Sequence, residues 1–174
     1  MTVSSGQTYL AIPGPSVIPE EVLRSMHRAA PNIYEGDLIE TTESLIPDLN
    51  YVAQSSGNVA IYIANGHGIW EAALSNIVTA NDHILVVATG RFAHGWADMA
   101  RKIGVNVDIL DFGRNRALDI EVLAKKLKSE AKTKYKAILM THVDTSTSIK
   151  NDISSIKKKL EEIFGGKFAA QMSC

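Results

Sequence analysis

NVAIYIANGHGIWEAALSNIV, residues 58–78, runs from an apolar segment through a glycine-bearing turn into helical spacing, and the rest of the chain is organised around it. Val59–Ala64 is a compact apolar run of strand length, rich in β-branched and aromatic residues, and it predicts a strand. Asn65-Gly66-His67-Gly68 follows, and then Ile69, Ala72, Ala73, Asn76 and Ile77 recur at helical spacing. The order is strand, glycine-bearing turn, helix. Glycine lets the backbone turn tightly and lets a ligand approach without meeting a Cβ. The helix directs its unpaired N–H groups and the positive end of its dipole back at the turn. A phosphate suits such a place on physical grounds. An ordinary βα connection carrying glycine suits the same residues.

Outward from this stretch the pattern repeats. Towards the N-terminus, residues 1–10 read as a loose arm and Ile12-Pro13-Gly14-Pro15-Ser16 as irregular chain, since proline lacks a donor and glycine favours turns. Pro19 with Glu20 and Glu21 opens a helix to about Ala30, with Val22, Leu23 and Met26 on one side. A second helix is expected over Leu38–Gln54, with Leu45, Leu49 and Val52 near helical spacing and Pro47 as an interruption. Towards the C-terminus, strands are predicted at His83–Ala88, Val105–Leu110 and Ala137–Met140. Helices are predicted at Phe92–Ile103, Asp119–Ser129 and Ile153–Phe164, with a polar loop over Thr141–Ser148. Four short apolar strands alternating with helices predict an α/β fold with a mainly parallel sheet covered on both faces. Ligands of such sheets bind beyond the carboxyl ends of the strands. Gly66-His67, Gly90–Phe92 and Asp144-Thr145 all follow strand ends.

Composition narrows the class. The chain has 174 residues, enough for one domain with a real core. Its formal net charge is −1, so no electrostatic footprint for nucleic acid or an anionic membrane is present. Lys157-Lys158-Lys159 is balanced by Glu161 and Glu162 and reads as a solvated helix face. Cys174 is the single cysteine, which excludes an internal disulfide and suggests a reducing, cytoplasmic setting. No apolar run reaches membrane-spanning length, and MTVSSGQTYL has no signal-peptide pattern. His27, His83 and His94 lack metal-ligand spacing, so no metal is expected. A dinucleotide site is disfavoured because Glu71 stands where the third glycine of the fingerprint belongs, and Val86-Val87-Ala88 supplies no ribose-binding acid. No Gly-Lys-Ser/Thr follows the turn, which removes the P-loop.

Four motifs occur in order and in register: Ile12-Pro-Gly-Pro-Ser16, Asn65-Gly-His-Gly-Ile-Trp-Glu-Ala-Ala-Leu74, Thr89-Gly-Arg-Phe92 and Thr141-His-Val-Asp-Thr-Ser-Thr147. Together they resemble the N-terminal part of a class V aminotransferase of the alanine–glyoxylate and serine–glyoxylate type. These enzymes use pyridoxal 5′-phosphate on the three-layer fold-type I scaffold. The resemblance runs from Leu10 to about Phe164. It implies that Asn65, Gly66 and His67 hold the cofactor phosphate, mainly through backbone N–H groups, with Asn65 where the family has Ser or Gly. The His67 ring is then free to pack or face solvent. Phe92 falls where the family stacks an aromatic ring, often Trp, on the pyridine, and a core aromatic at a helix start is the alternative. Thr145 falls where a hydroxyl touches the cofactor, Asp144 where Glu is common, and Ser148 where Gly is common. Trp70 and Trp96 read as packing residues on helices.

Transamination also needs a Schiff-base lysine, an acid beside the pyridine nitrogen and an arginine for the substrate carboxylate. In the family these lie beyond the Thr141–Thr147 loop. Residues 165–174 do not match the expected strand, and Lys167 reads as a surface lysine in a tail. The expected organisation is an arm and turn over 1–18, part of the cofactor-binding large domain over 19–164, and an atypical tail over 165–174. The expected whole-protein activity is amino-group transfer from serine, alanine or aspartate to glyoxylate or a similar α-keto acid. A homodimer is implied, with this chain an inactive fragment. A cysteine-desulfurase-like lyase and a non-catalytic metabolite- or partner-binding module are the alternatives.

Overall fold

The computed structural model describes residues 10, 12, 14, 16–131 and 134–165, which fall into two compact units divided after Ile61. Residues 1–9, Pro13 and Pro15 of the expected arm and turn, and residues 166–174 of the tail with Lys167, lie outside the described residues. In the first unit, α1 (Glu20–Met26) begins after Pro19 and stops at Met26, short of Ala30. The Arg24–Glu20 pair, 2.6 Å, spans one turn of it. The second helix, α2 (Asp37–Ala53), runs through Pro47, contrary to the expected interruption, and ends with Gln54 in the left-handed region. A proline deletes one helical donor, and the turns on either side here carry the helix past that loss. Neither helix buries a residue.

The second unit holds the sheet. α3 (Gly66–Ile77) leads to β1 (His83–Ala88), then α4 (Arg91–Lys102), β2 (Asn106–Asp111), α5 (Ile120–Lys128) and β3 (Ala137–Met140). A short antiparallel ladder, β4 (Val143–Asp144) with β5 (Ile149–Lys150), closes the expected polar loop before α6 (Ile153–Phe164). The strand order is β2-β1-β3, parallel throughout, with Ile84 opposite Val107 on one side and Ala137 on the other.

Alternation along β1 assigns the two faces. Ile84, Val86 and Ala88 pack with Trp70, Leu74, Ala93, Trp96, Ala97 and Ala100 from α3 and α4. Leu85 and Val87 pack with Leu123, Leu127, Ile156 and Leu160 from α5 and α6. A central strand buried on both faces has to be apolar at every position, which is why HILVVA does not alternate. Trp70 and Trp96 are buried and stacked with centroids 5.4 Å apart, so both are packing residues as read. Stacking of this kind adds about 1 kcal/mol beyond area burial.

One expected element is absent among the described residues, at the run before α3. Val59–Ala64 is not a strand: residues 58–62 have no regular assignment, and Tyr62 and Ile63 are exposed. A strand exists only through its ladder, and no strand among the described residues pairs with this run. The β-propensity is in the sequence, and the hydrogen-bonding partner is not among these elements.

Candidate functional site

The turn ahead of α3 is built by Asn65. Its side-chain Oδ1 accepts the His67 N–H at 3.1 Å and the Gly68 N–H at 3.4 Å, capping the helix. An Asn cap of this type contributes about 1 kcal/mol. The His67 and Gly68 N–H groups at the start of α3 are thus satisfied within the turn, by the Asn65 oxygen. The two glycines do different jobs. A Cβ on Gly68 would lie 2.5 Å from the Ala64 Cβ, so Gly68 is required by the incoming chain. A Cβ on Gly66 would meet nothing within 4 Å, so Gly66 faces open space.

The His67 ring packs on Trp70, with centroids 4.7 Å apart, and lies 6.1 Å from the Phe92 ring. Phe92 meets Trp70 edge-on at 6.0 Å and is half-buried against the α3–α4 core. The aromatic contacts thus bring the start of α3 to the start of α4. His67 takes the packing role for its ring, leaving its backbone as the polar part. Phe92 combines a core edge with a partly open face.

The start of α4 is capped from outside. Gly90 offers no side chain, and the Asp144 carboxylate does the work instead. Asp144 Oδ2 accepts the Phe92 N–H at 3.0 Å, while Oδ1 accepts the Ser146 N–H at 3.1 Å and the Ser146 hydroxyl at 2.5 Å. Ser146 Oγ in turn accepts the Arg91 N–H at 2.9 Å. Asp144 is fully buried, and a Cβ on Gly90 would collide with its carboxylate. Thr145 stands exposed between Asp144 and Ser146, in a turn closed by Thr147 N–H donating to the Asp144 carbonyl at 3.0 Å. Ser148 has φ 59°, the left-handed region that glycine enters most easily.

Below the loop, buried Asn151 joins three segments. Its Nδ2 donates to Thr89 Oγ1 at 3.1 Å and to the Thr141 carbonyl at 2.9 Å, and its Oδ1 accepts the Leu118 N–H at 3.0 Å. Neither Asn151 nor the capping role of Asp144 stands out in the sequence. The Asp-x-Ser spacing of Asp144 and Ser146, which allows a side chain to bond the backbone two residues on, is the one signal that could have exposed the latter. A separate polar cluster sits near the amino ends of the strands. Tyr135 Oη and Lys134 Nζ both donate to Asp108, at 2.7 and 2.9 Å, and hold its carboxyl below the usual carboxylate range.

Of the five residues expected at the site, the His67 and Phe92 rings lie 6.1 Å apart, Asn65 and Gly66 precede His67 at the α3 start, and Thr145 follows Asp144, which caps Phe92. The result is helix-start amides beside open space, an aromatic cluster and an exposed hydroxyl loop, at the carboxyl end of a parallel α/β sheet. That is the setting in which α/β proteins bind phosphorylated ligands. The pattern defining "Aminotransferase class-V" matches residues 8–169, and the chain belongs to that family. It is 31% identical over 157 residues to a serine–glyoxylate aminotransferase of Arabidopsis thaliana, covering 90% of this chain and 39% of the relative. A serine–glyoxylate aminotransferase of Methylorubrum extorquens is 30% identical, again covering 90% and 39%. In fold, the chain superposes on an alanine–glyoxylate aminotransferase from Nostoc sp. with a TM-score of 0.75 at 22% identity, covering 87% of this chain and 40% of that one. The chain thus has part of the fold-type I large domain and spans about two fifths of the length of these relatives. Among the described residues no helix is long and apolar enough to cross a membrane.

Proposed function

We propose that this chain carries the phosphate-holding side of a pyridoxal-phosphate site, and that the whole protein transfers an amino group from a small amino acid to glyoxylate or a similar α-keto acid. The observation that carries the reading is the convergence of the two helix starts and the hydroxyl loop, in a chain of this family. The donor set fits the group. The His67 and Gly68 N–H groups at the α3 start donate to the Asn65 oxygen, whose place a phosphate oxygen would take, Gly66 leaves room beside them, and Phe92 offers a ring. Asn65, Gly66 and His67 would hold the phosphate, Phe92 would fix the plane of the pyridine, and Thr145 would donate its hydroxyl to the cofactor. Bound pyridoxal phosphate supplies the aldehyde carbon that takes up the amino group and a ring that withdraws electrons from it. Serine, alanine and aspartate are the donors in view, and a homodimer is part of the same proposal. No lysine here is assigned to the chemistry, so the chain alone is expected to bind the cofactor without turning amino acids over.

Pyridoxamine 5′-phosphate is the suitable probe, because it has no aldehyde and cannot attach to surface lysines. Trp70 lies against Phe92 and His67, so tryptophan emission should report binding. Saturable binding is expected, with unphosphorylated pyridoxamine at least about tenfold weaker, since the amide cradle recognises the phosphate. Gly66→Val should also weaken binding by about tenfold or more without unfolding the chain, because its side chain enters the space left for the ligand. Equal affinity for the two pyridoxamines, or an unaffected Gly66→Val, would remove this turn from the site.

A further inference from the structure

The Asp144 carboxylate lies where the two halves of the candidate site meet, and its contacts have a geometry that loop packing alone does not require. One oxygen takes the N–H of Phe92, the residue whose ring is to face the cofactor. The other takes both the N–H and the hydroxyl of Ser146, closing a ring around Thr145. The hydroxyl of Ser146 extends the same clamp to the Arg91 N–H. A buried carboxylate is costly unless its lone pairs are filled, and here three donors fill them. The negative charge also faces the positive end of the α4 dipole. Gly90 completes the arrangement, because any side chain there would occupy the carboxylate's position. With φ 175°, Gly90 is extended, so its glycine is explained by this close approach and not by backbone conformation.

We propose that Asp144 is a positioning residue: it locks the α4 start to the loop after β3, so that Phe92 and Thr145 keep one fixed relation and present their ring and hydroxyl to the same ligand. This rests on the cofactor reading given above. Asp144 touches no ligand itself. It acts through two residues that do, and through Gly90, which has to remain glycine for the carboxylate to fit. The dependence is specific. A carboxamide at 144 has one acceptor oxygen to offer where two are used, and it sets an NH2 against an N–H donor.

The test is a cycle of variants of the full chain, titrated with pyridoxamine 5′-phosphate and followed by amide hydrogen exchange. Asp144→Asn is expected to weaken binding by about tenfold, the usual consequence of losing a charged acceptor from a buried network. The same substitution placed in a Phe92→Ala, Thr145→Ala background is expected to change affinity by less than about twofold, since the residues through which it acts are gone. In the unliganded chain, Asp144→Asn should speed exchange of the Phe92 and Ser146 amides and leave those of β1 protected. A tenfold loss persisting in the double-variant background would show a general structural role and overturn the inference. So would unchanged affinity in a folded Asp144→Asn chain. If Asp144→Asn does not fold, Ser146→Ala replaces it: that change removes the link to Arg91 while leaving the carboxylate in place. It is expected to weaken binding about threefold through the same residues, and no change would count against the clamp. Absence of binding by the unsubstituted chain would overturn both the cofactor reading and this inference, whereas binding indifferent to residue 144 overturns the inference alone.

Discussion

At the scale of single residues, Phe92 and Ser148 show what the local geometry asks of a side chain. The Phe92 ring is partly buried against Trp70 and the α3–α4 core, so Phe92→Ala should both destabilise the fold and weaken pyridoxamine 5′-phosphate binding by about 1–3 kcal/mol. Phe92→Trp should keep the affinity, as the indole has the same face to offer. If Trp abolished binding while Ala left it intact, Phe92 would be a core residue only. Ser148 occupies a left-handed backbone at φ 59°, which costs a residue with a Cβ roughly 1 kcal/mol. Ser148→Gly removes that strain but adds chain entropy to the unfolded state. The melting temperature should therefore stay level or rise slightly, and a clear fall would mean that the Ser148 side chain does more than tolerate its turn. The polar cluster of the loop was visible in the sequence as a polar loop and no more. The Asp-x-Ser spacing hints that Asp144 bonds its own turn, but not that its other oxygen caps a helix 52 residues earlier in the chain, because that depends on tertiary approach. Gly90 was visible as a glycine, but its reason, the Asp144 carboxylate against its Cα, required the fold.

At the scale of elements, the sequence marks most helices and the three strands of the sheet well. Ala137–Met140 and Ile153–Phe164 form with the predicted bounds, and His83–Ala88 does too, because apolar periodicity is a local signal. Val59–Ala64 fails for the complementary reason: a strand is made by its neighbours, and propensity alone pairs nothing. Beyond hydrogen bonds within the sheet, the edge of β2 is tied to the turn before β3 by Asp108, through Tyr135 and Lys134. The hydrogen bonds from Tyr135 and then Lys134 depress the Asp108 pKa in the folded chain. A depressed carboxylate pKa contributes stability above the unfolded value and loses it as pH falls through the folded value. Asp108→Asn should therefore be less stable than the unsubstituted chain at neutral pH, and the gap should close below about pH 4, where the unfolded carboxylate also binds its proton. Urea midpoints across that range measure it. A gap that stayed constant into acid would assign the effect of Asp108 to packing.

At the scale of the whole molecule, the chain has a double-covered three-stranded sheet and, apart from it, an exposed apolar run. Ile63 is fully exposed, and Tyr62 is more than half exposed. The outer side of β3 has no partner strand among the described residues. Apolar runs and free strand edges of this kind invite association. We expect the 174-residue chain to associate as its concentration rises, seen by light scattering, and Ile63→Lys to reduce that without lowering the melting temperature. Association unaffected by Ile63→Lys would place the adhesive surface elsewhere. The central claim, that two helix starts and one hydroxyl loop form a single phosphate-cofactor site, is tested most directly by mapping backbone amide shifts while pyridoxamine 5′-phosphate is added. The largest shifts are expected to fall together on Gly66, His67, Phe92 and Thr145 and to saturate with one affinity. Shifts centred on the Lys157–Lys159 face or on the crevice at Asn50–Ser55, with Gly66 and His67 still, would contradict it.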